Sequence, residues 1–296
     1  MLGAAVSREL AQRNVAAFRL VRRASQPVSS QNGTEMLWNP AAGELDIAAL
    51  GRAGRFVAAV HLSGANVSGR RWTESYKREM WTSRVDSTRV LAESLAKLKN
   101  PPPVLVAASA VGFYGNRGDE ILDEDSPAGR GFFPELCAAW EAAAQPAVEA
   151  GIRVVHVRLG VVLSARGGAL AKLLPIFRLG LGGPLGDGRA WMSWLGEADA
   201  VRAILFAAEN PLLSGAVNMV APQPVTNAEF TRALGRAVHR PALIPAPAFA
   251  LRIAFGQMAD EALLASTRVL PKRLSAAGFS STRTFGAGEG PARQHD

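Results

Sequence analysis

Val104–Gly115 reads VLVAASAVGFYG, an unbroken apolar run from Val104 to Ala108 that follows Pro101–Pro103 and ends in Ser109. A run of this kind is how a strand covered on both faces looks, as in a parallel sheet held between helices. In open α/β sheets ligands gather beyond the carboxyl ends of the strands, so the Ser109 hydroxyl, with Tyr114 five residues on, is expected to face what the sheet holds. A turn-starting serine and a packed tyrosine fit the same letters, and at this point both readings stand.

Upstream, Phe56–Leu62 is a second apolar stretch, running into Ser63-Gly64. Small residues at a strand end let a flat ligand approach the backbone, which makes Leu62, Ser63 and Gly64 cofactor-side candidates; a plain tight turn is the alternative. From Val85 the positions Thr88, Leu91, Leu95 and Leu98 recur at three- and four-residue steps, predicting an amphipathic helix that stops at Asn100. Strand, helix and strand make a right-handed parallel crossover.

At the N-terminus the pattern predicts a helix over 4–13 and a strand over Val15–Val21. A chain that opens on a helix lacks the strand and most of the glycine turn of the dinucleotide fingerprint, as if it began about ten residues late. Gly3 is left to stand for the last of those glycines, or is an ordinary helix-start residue. Arg22 and Arg23 follow the strand, where an acid would hold the ribose of NAD and arginine accommodates the 2′-phosphate of NADP; NADP is favoured, with a solvated loop as the other reading. Residues 24–55 read as polar loop, with a turn at Trp38-Asn39-Pro40 and a short helix at Ile47–Leu50.

Downstream, an acidic loop (Asp119, Glu120, Asp123, Glu124, Asp125) reads as solvated and leads to a helix from Pro134. A strand over Ile152–Val157 follows. Seven glycines between Gly167 and Gly188, with Pro175 and Pro184, divide a short helix at 169–178 from an irregular segment reaching Trp194, read as the floor of a substrate pocket. Beyond it come a helix over Glu197–Asn210, a strand over Ala216–Val220, a capping box at Thr226 and Glu229, and a helix over 248–270. The tail after Gly278 has no apolar pattern and reads as disordered.

At 296 residues and 48% hydrophobic content the chain can bury a full core. No apolar run approaches the roughly 20 residues that span a bilayer. Arg8 and Glu9 stand where a signal peptide would be apolar, so a soluble, cytoplasmic chain without a membrane partner is expected. The lone Cys137 excludes an internal disulfide, and His61, His156, His239 and His295 are too scattered to predict a metal site. The net charge of +8 is not laid out with interleaved aromatics, which argues against nucleic acid; a phosphate-bearing cofactor would account for part of it.

Taken together, LSGANVSGRRW at 62–72, Ser83-Arg84, SAVGFYG at 109–115, FRLGLGGPLGDGRAWMSWL at 177–195 and VLPKRLSAAGF at 269–279 resemble the extended, or atypical, short-chain dehydrogenase/reductases. Within that group the resemblance is to the epimerase-family branch, some of whose bacterial members carry a cell-division-inhibitor label. It implies an α/β fold with a Rossmann-like doubly wound parallel sheet, here without its first strand, and a small C-terminal substrate domain. The expected division is an NADP-binding part over 1–165, a substrate-pocket region over 166–279 and a tail over 280–296. It also implies a cofactor against Arg22, Arg23, Leu62 and Ser63, against Glu79 and Arg84 before the next helix, and against Val162. Guanidinium groups pair with phosphate through a planar fork, a physical reason for Arg23 and Arg84.

Members of the wider group move a proton with a tyrosine and a lysine four positions later. Aligned on Ser109 and Glu141, those positions fall on Phe133 and Cys137, and neither can do it. The expected function is an NADP(H)-dependent oxidoreductase or epimerase-like enzyme on a small unknown substrate, with Ser109 orienting its carbonyl or hydroxyl group and Tyr114, the nearest phenol, as the candidate to replace the missing proton donor. The alternative is a non-catalytic NADP-binding regulator.

Overall fold

The computed structural model describes residues 1–21 and 33–282. Arg22 and Arg23, on which the reading of the 2′-phosphate site rests, lie outside the described residues. The chain divides into two compact units, neither a contiguous half: the first takes residues 1–109, 136–157 and 201–217, the second 110–135, 158–200 and everything from 218 on.

The main sheet has the order Gly215–Met219, Arg153–Leu159, Val104–Ala110, Ala59–His61. Ala59–His61 runs parallel to the central strand, with Ala59, Val60 and His61 opposite Leu105, Val106 and Ala107. Val104 through Ser109 are all buried, which is why the sequence there is a run and not an alternation. The α/β, parallel-sheet expectation holds. Ala17–Val21 pairs in parallel with Gly33–Asn39, and that strand turns back through Gly43 to pair antiparallel with Glu44–Leu45. A core cluster of the first unit gathers Trp38, Leu50, Leu91, Leu95, Leu98, Leu105 and Ile152, with Leu20 and Phe56 packed against it.

Three of the larger elements differ from the sequence reading. The strand Gly33–Asn39 occupies ground read as loop, and Trp38, read as a turn residue, is a buried core side chain on it. The helix expected from Val85 begins at Glu74: Glu74–Trp81, a π-turn over Thr82–Asp86 and Ser87–Ala96 form one helical run. Thr73 starts it, its Oγ1 accepting the Tyr76 N–H at 3.3 Å. A π-turn adds a residue to the helical repeat and moves the apolar stripe, so a search at one period finds only the later half. Last, the helix expected over 248–270 stops at Phe255, where Gly256 takes a φ of 60°. A π-turn at Ala259–Leu263 and a strand at Arg268–Val269 follow.

The second unit is built from short paired strands. Val161–Leu163 lies parallel to Trp194–Gly196, Trp191–Met192 antiparallel to Val225–Thr226, and Arg268–Val269 parallel to Ile121–Leu122. Val111, Tyr114, Leu122, Val220 and Val269 form its buried cluster. The capping box is present, with Thr226 and Glu229 exchanging bonds at the head of Asn227–Ala237. In the glycine-rich segment a Cβ on Gly182 would stand 2.7 Å from the Phe177 ring, and one on Gly183 would collide with the Ile244 carbonyl. Close packing within the unit explains these two glycines. At the end of the described chain Ser281 and Thr282 bond the buried carboxylate of Asp199. Residues 283–296, most of the segment read as disordered, lie outside the described residues. No helix among the described residues is long and apolar enough to cross a membrane.

Candidate functional site

Beyond His61 the edge strand of the main sheet opens into Leu62-Ser63-Gly64-Ala65. His61 is buried with its Nε2 3.1 Å from the Ser87 hydroxyl, and burial lowers its pKa to about 4, so the ring is neutral at pH 7. The π-turn grips the following loop by both sides of one residue. The Ala65 N–H donates to Ser83 Oγ at 2.9 Å, and Arg84 Nη2 donates to the Ala65 carbonyl at 2.8 Å. Gly64 leaves the room this needs, since a Cβ there would lie 3.1 Å from the Arg84 guanidinium carbon.

Arg84 is a buried cation. Its Nη1 donates to the Met80 carbonyl at 3.3 Å, its guanidinium lies 5.1 Å from the Trp140 ring centre, and its Nε has no hydrogen-bond partner. Burial lowers its pKa, opposed by smaller contributions from Cys137 and Tyr76, and among the described residues no carboxylate pairs with it. An uncompensated charge in that position is costly, and an anion brought beside it would offset the cost. A phosphate-bearing cofactor therefore fits the strand end.

Ser109 is buried one residue before the end of the central strand, and its hydroxyl donates to Glu141 Oε1 at 2.6 Å. Glu141 projects from the helix Phe132–Ala142, one turn after Cys137. The proton of Ser109 is thus committed to a carboxylate, and what the serine can offer a ligand is its lone pairs.

Tyr114 ends the 3₁₀ turn Val111–Tyr114 in the second unit and is 0% exposed. Its hydroxyl donates to Asn218 Oδ1 at 2.7 Å and accepts from Arg158 Nη1 at 2.9 Å. Burial raises the phenol pKa, against the lowering effect of Arg158. The Arg158 guanidinium also stacks 3.5 Å from the centre of the Phe113 ring. Asn218 extends the network, its N–H donating to Glu124 Oε1 at 3.0 Å and its Nδ2 to the Leu270 carbonyl at 3.0 Å. Glu124, read as part of a solvated acidic loop, is buried; its neighbours Asp123 and Asp125 keep to the surface and bind Lys272. A phenol held in this way releases its proton to a ligand only by breaking a bond to Asn218.

The remaining expected residues are dispersed. Leu62 and Ser63 share the loop that Arg84 grips, and Glu79 is exposed on the same helical run five residues earlier. Val162 sits in Val161–Leu163 opposite Leu195, in the second unit. Gly3 lies in the first helix with open space where a Cβ would be, so nothing described there requires glycine. Phe133 packs its ring against Gly112 and gives its N–H to Glu261 at 2.7 Å, while Cys137 is fully buried. Sequence reasoning used Ser83 and Glu141 only as points of likeness and read Glu124 only as part of a solvated loop, and it gave no part to Arg158 or Asn218. Of these only Arg158, a charge inside the apolar stretch Val154–Leu163, stands out by its letters.

A family model described as the NAD dependent epimerase/dehydratase family matches residues 1–219, and one described as a domain of unknown function (DUF1731) matches residues 246–280. The chain is 46% identical over 279 residues to the epimerase family protein Mb2239 of Mycobacterium bovis, covering 94% of this chain and 89% of that protein. It is 40% identical over 225 residues to the epimerase family protein SDR39U1 of Homo sapiens, covering 75% and 76%. The crystal structure of human SDR39U1 (isoform 2) with NADPH matches at a TM-score of 0.84 and 33% identity, covering 95% of this chain and 92% of that one. UDP-glucose 4-epimerase of Thermotoga maritima, at 16% identity and a TM-score of 0.76 over 96% and 91%, shares the fold alone.

Proposed function

The chain belongs to the NAD-dependent epimerase/dehydratase family, and on that premise we propose that it is a cytoplasmic NADP(H)-dependent oxidoreductase or epimerase-like enzyme acting on a small-molecule substrate. The observation that carries this reading is Arg84, a buried guanidinium with an unpartnered Nε beside the loop Leu62–Ala65. The choice of NADP over NAD rests on Arg22-Arg23 after the strand Ala17–Val21 and on the NADPH bound by the human relative. In this reading residues 1–165 supply the nucleotide-binding part, through Arg22, Arg23, Leu62, Ser63, Glu79 and Arg84, with Val162 and Gly3 as further contacts. Residues 166–279 supply the substrate pocket.

The nicotinamide, when bound, provides the hydride chemistry; the protein's own residues provide the proton path. With Phe133 and Cys137 where a tyrosine and a lysine would stand, that path starts at Ser109. Its hydroxyl is anchored on Glu141, so it accepts a hydrogen bond from a substrate hydroxyl, and on oxidation the substrate's proton passes to Ser109 Oγ as the serine's own proton passes to Glu141 Oε1. Tyr114 serves as a positioning residue through Asn218 and Arg158. The second reading, a non-catalytic NADP-binding regulator, draws on the same Phe133 and Cys137; hydride transfer to any member of a carbonyl and alcohol panel would exclude it.

The test is titration with NADPH and NADH, followed by nicotinamide fluorescence. NADPH binds more tightly than NADH, and Arg84→Gln weakens NADPH by about tenfold or more, as expected for loss of a charge-assisted contact. Ser83→Ala, which loosens the same loop without removing charge, has a smaller effect. Absence of NADPH binding, or equal binding by parent and Arg84→Gln, would overturn the proposal.

A further inference from the structure

The second unit holds a cavity of about 590 Å³ whose wall is basic. Arg232 and Arg236 stand one turn apart on Asn227–Ala237, which brings them to one face of that helix, and Arg268 reaches in from the strand Arg268–Val269. Trp191 lies among them and is fixed on three sides. Its indole N–H donates to Asp119 Oδ1 at 2.7 Å, its backbone N–H to Ser266 Oγ at 3.0 Å, and its carbonyl accepts from the Thr267 N–H at 3.0 Å. The Arg268 guanidinium is stacked on this indole, 4.2 Å from the ring centre. A guanidinium stacked flat on an aromatic ring keeps its N–H edges free for an acceptor in its own plane.

The cavity's positive charge is only partly balanced from within: Glu229, the one acid of the lining, acts on Arg232 through space, against three arginines. Among the described residues no carboxylate lies within ion-pair distance of Arg232, Arg236 or Arg268. The hydrogen bonds of Glu229 itself go to its own helix cap, where its Oε2 accepts the Thr226 N–H at 2.7 Å and hydroxyl at 2.9 Å. Three like charges converging on one concave surface repel one another until an anion joins them, and planar forks match the oxygens of a phosphate. The volume falls within the roughly 300–1,000 Å³ of small-molecule sites.

We propose that this cavity binds a small phosphorylated ligand, its phosphate held by Arg232, Arg236 and Arg268, at a site sharing no residue with the Ser109 and Arg84 machinery. The proposal uses none of the residues of the cofactor assignment, and NADPH enters its test only to occupy that other anion site. The probe is inorganic pyrophosphate, titrated calorimetrically into the full chain kept saturated with NADPH, with citrate as a carboxylate comparison. Pyrophosphate gives a saturable one-to-one isotherm, weakens as salt is raised and binds more tightly than citrate. Arg268→Gln and the Arg232→Gln/Arg236→Gln pair each reduce its affinity about tenfold or more, with NADPH binding unchanged. Arg232 and Arg236 are exposed, so the pair keeps the fold even where Arg268→Gln does not. A flat isotherm, equal affinity in parent and variants, or citrate binding as tightly as pyrophosphate would overturn the assignment.

Discussion

Replacing Tyr114 with phenylalanine removes one oxygen from the middle of the second unit and separates a structural phenol from a proton donor. That oxygen gives a bond to Asn218 at 2.7 Å and receives one from the Arg158 guanidinium at 2.9 Å, with no exposure to solvent. A neutral hydrogen bond contributes about 1 kcal/mol net and one to a charged group about 1.5–3 kcal/mol. Losing both, and leaving a buried amide oxygen and a buried N–H unmatched, is worth about 2–4 kcal/mol. For a chain of this size that lowers Tm by roughly 4–16 °C at about 2–4 °C per kcal/mol. Urea unfolding read by tryptophan fluorescence gives the free energy, and a thermal melt gives the second measure. A Tyr114→Phe protein within about 0.5 kcal/mol of the parent would show that the phenol holds nothing in place. If such a protein were also inactive, Tyr114 would return to the reaction itself.

Three further outcomes are expected. Glu141→Gln keeps the shape but removes the charge that anchors Ser109, and lowers kcat about 100-fold with little change in KM, flattening the acid limb of the pH–rate profile; a parent-like profile would remove Glu141 from the proton path. Gly183→Ala drives a methyl group into the Ile244 carbonyl and costs at least about 2 kcal/mol, whereas Gly3→Ala meets open space inside a helix and gains about 0.5–1 kcal/mol; melting both side by side checks the contrast, and equal shifts would refute it. His61 is the pH-sensitive element. It stays neutral when folded down to about pH 4 but takes up a proton near 6.5 when unfolded, so its contribution is complete above pH 6.5 and is lost as pH falls toward 4. The loss amounts to about 3 kcal/mol, and His61→Gln should abolish that part of the slope in urea midpoints measured across the window.

What the letters disclose depends on how far the deciding contacts reach. The central strand is plain because burial on both faces forbids polar residues along Val104–Ala108, and the capping box at Thr226 is plain because its partners are three residues apart. The helical run from Glu74 is half hidden, since the π-turn shifts the apolar stripe part-way along. Gly33–Asn39 escapes for a different reason: Leu37 faces solvent and Trp38 the core, so its hydrophobic residues do not alternate cleanly. The network of Tyr114 joins residues 44 and 104 positions away, and no local rule finds such partners. Glu124 looks no different from Asp123 and Asp125 on the page; only the fold sends it inward. For Ser109 the sequence suggests a hydroxyl turned to a ligand, and the contact with Glu141 that changes its chemistry comes from a helix 32 residues on.

In a regular α-helix neighbouring side chains point about 100° apart; the wider π-turn over Thr82–Asp86 brings neighbours closer in direction, and from it Ser83 and Arg84 both bond Ala65. The run from Glu74 to Ala96 is consequently a measured spacer, fixed at its start by Thr73 and in its middle by the grip on the loop. A one-codon deletion within 82–86 would relax the bulge into ordinary helix and release the loop at the strand end, whereas exchanges at exposed positions such as Arg89 leave that hold intact.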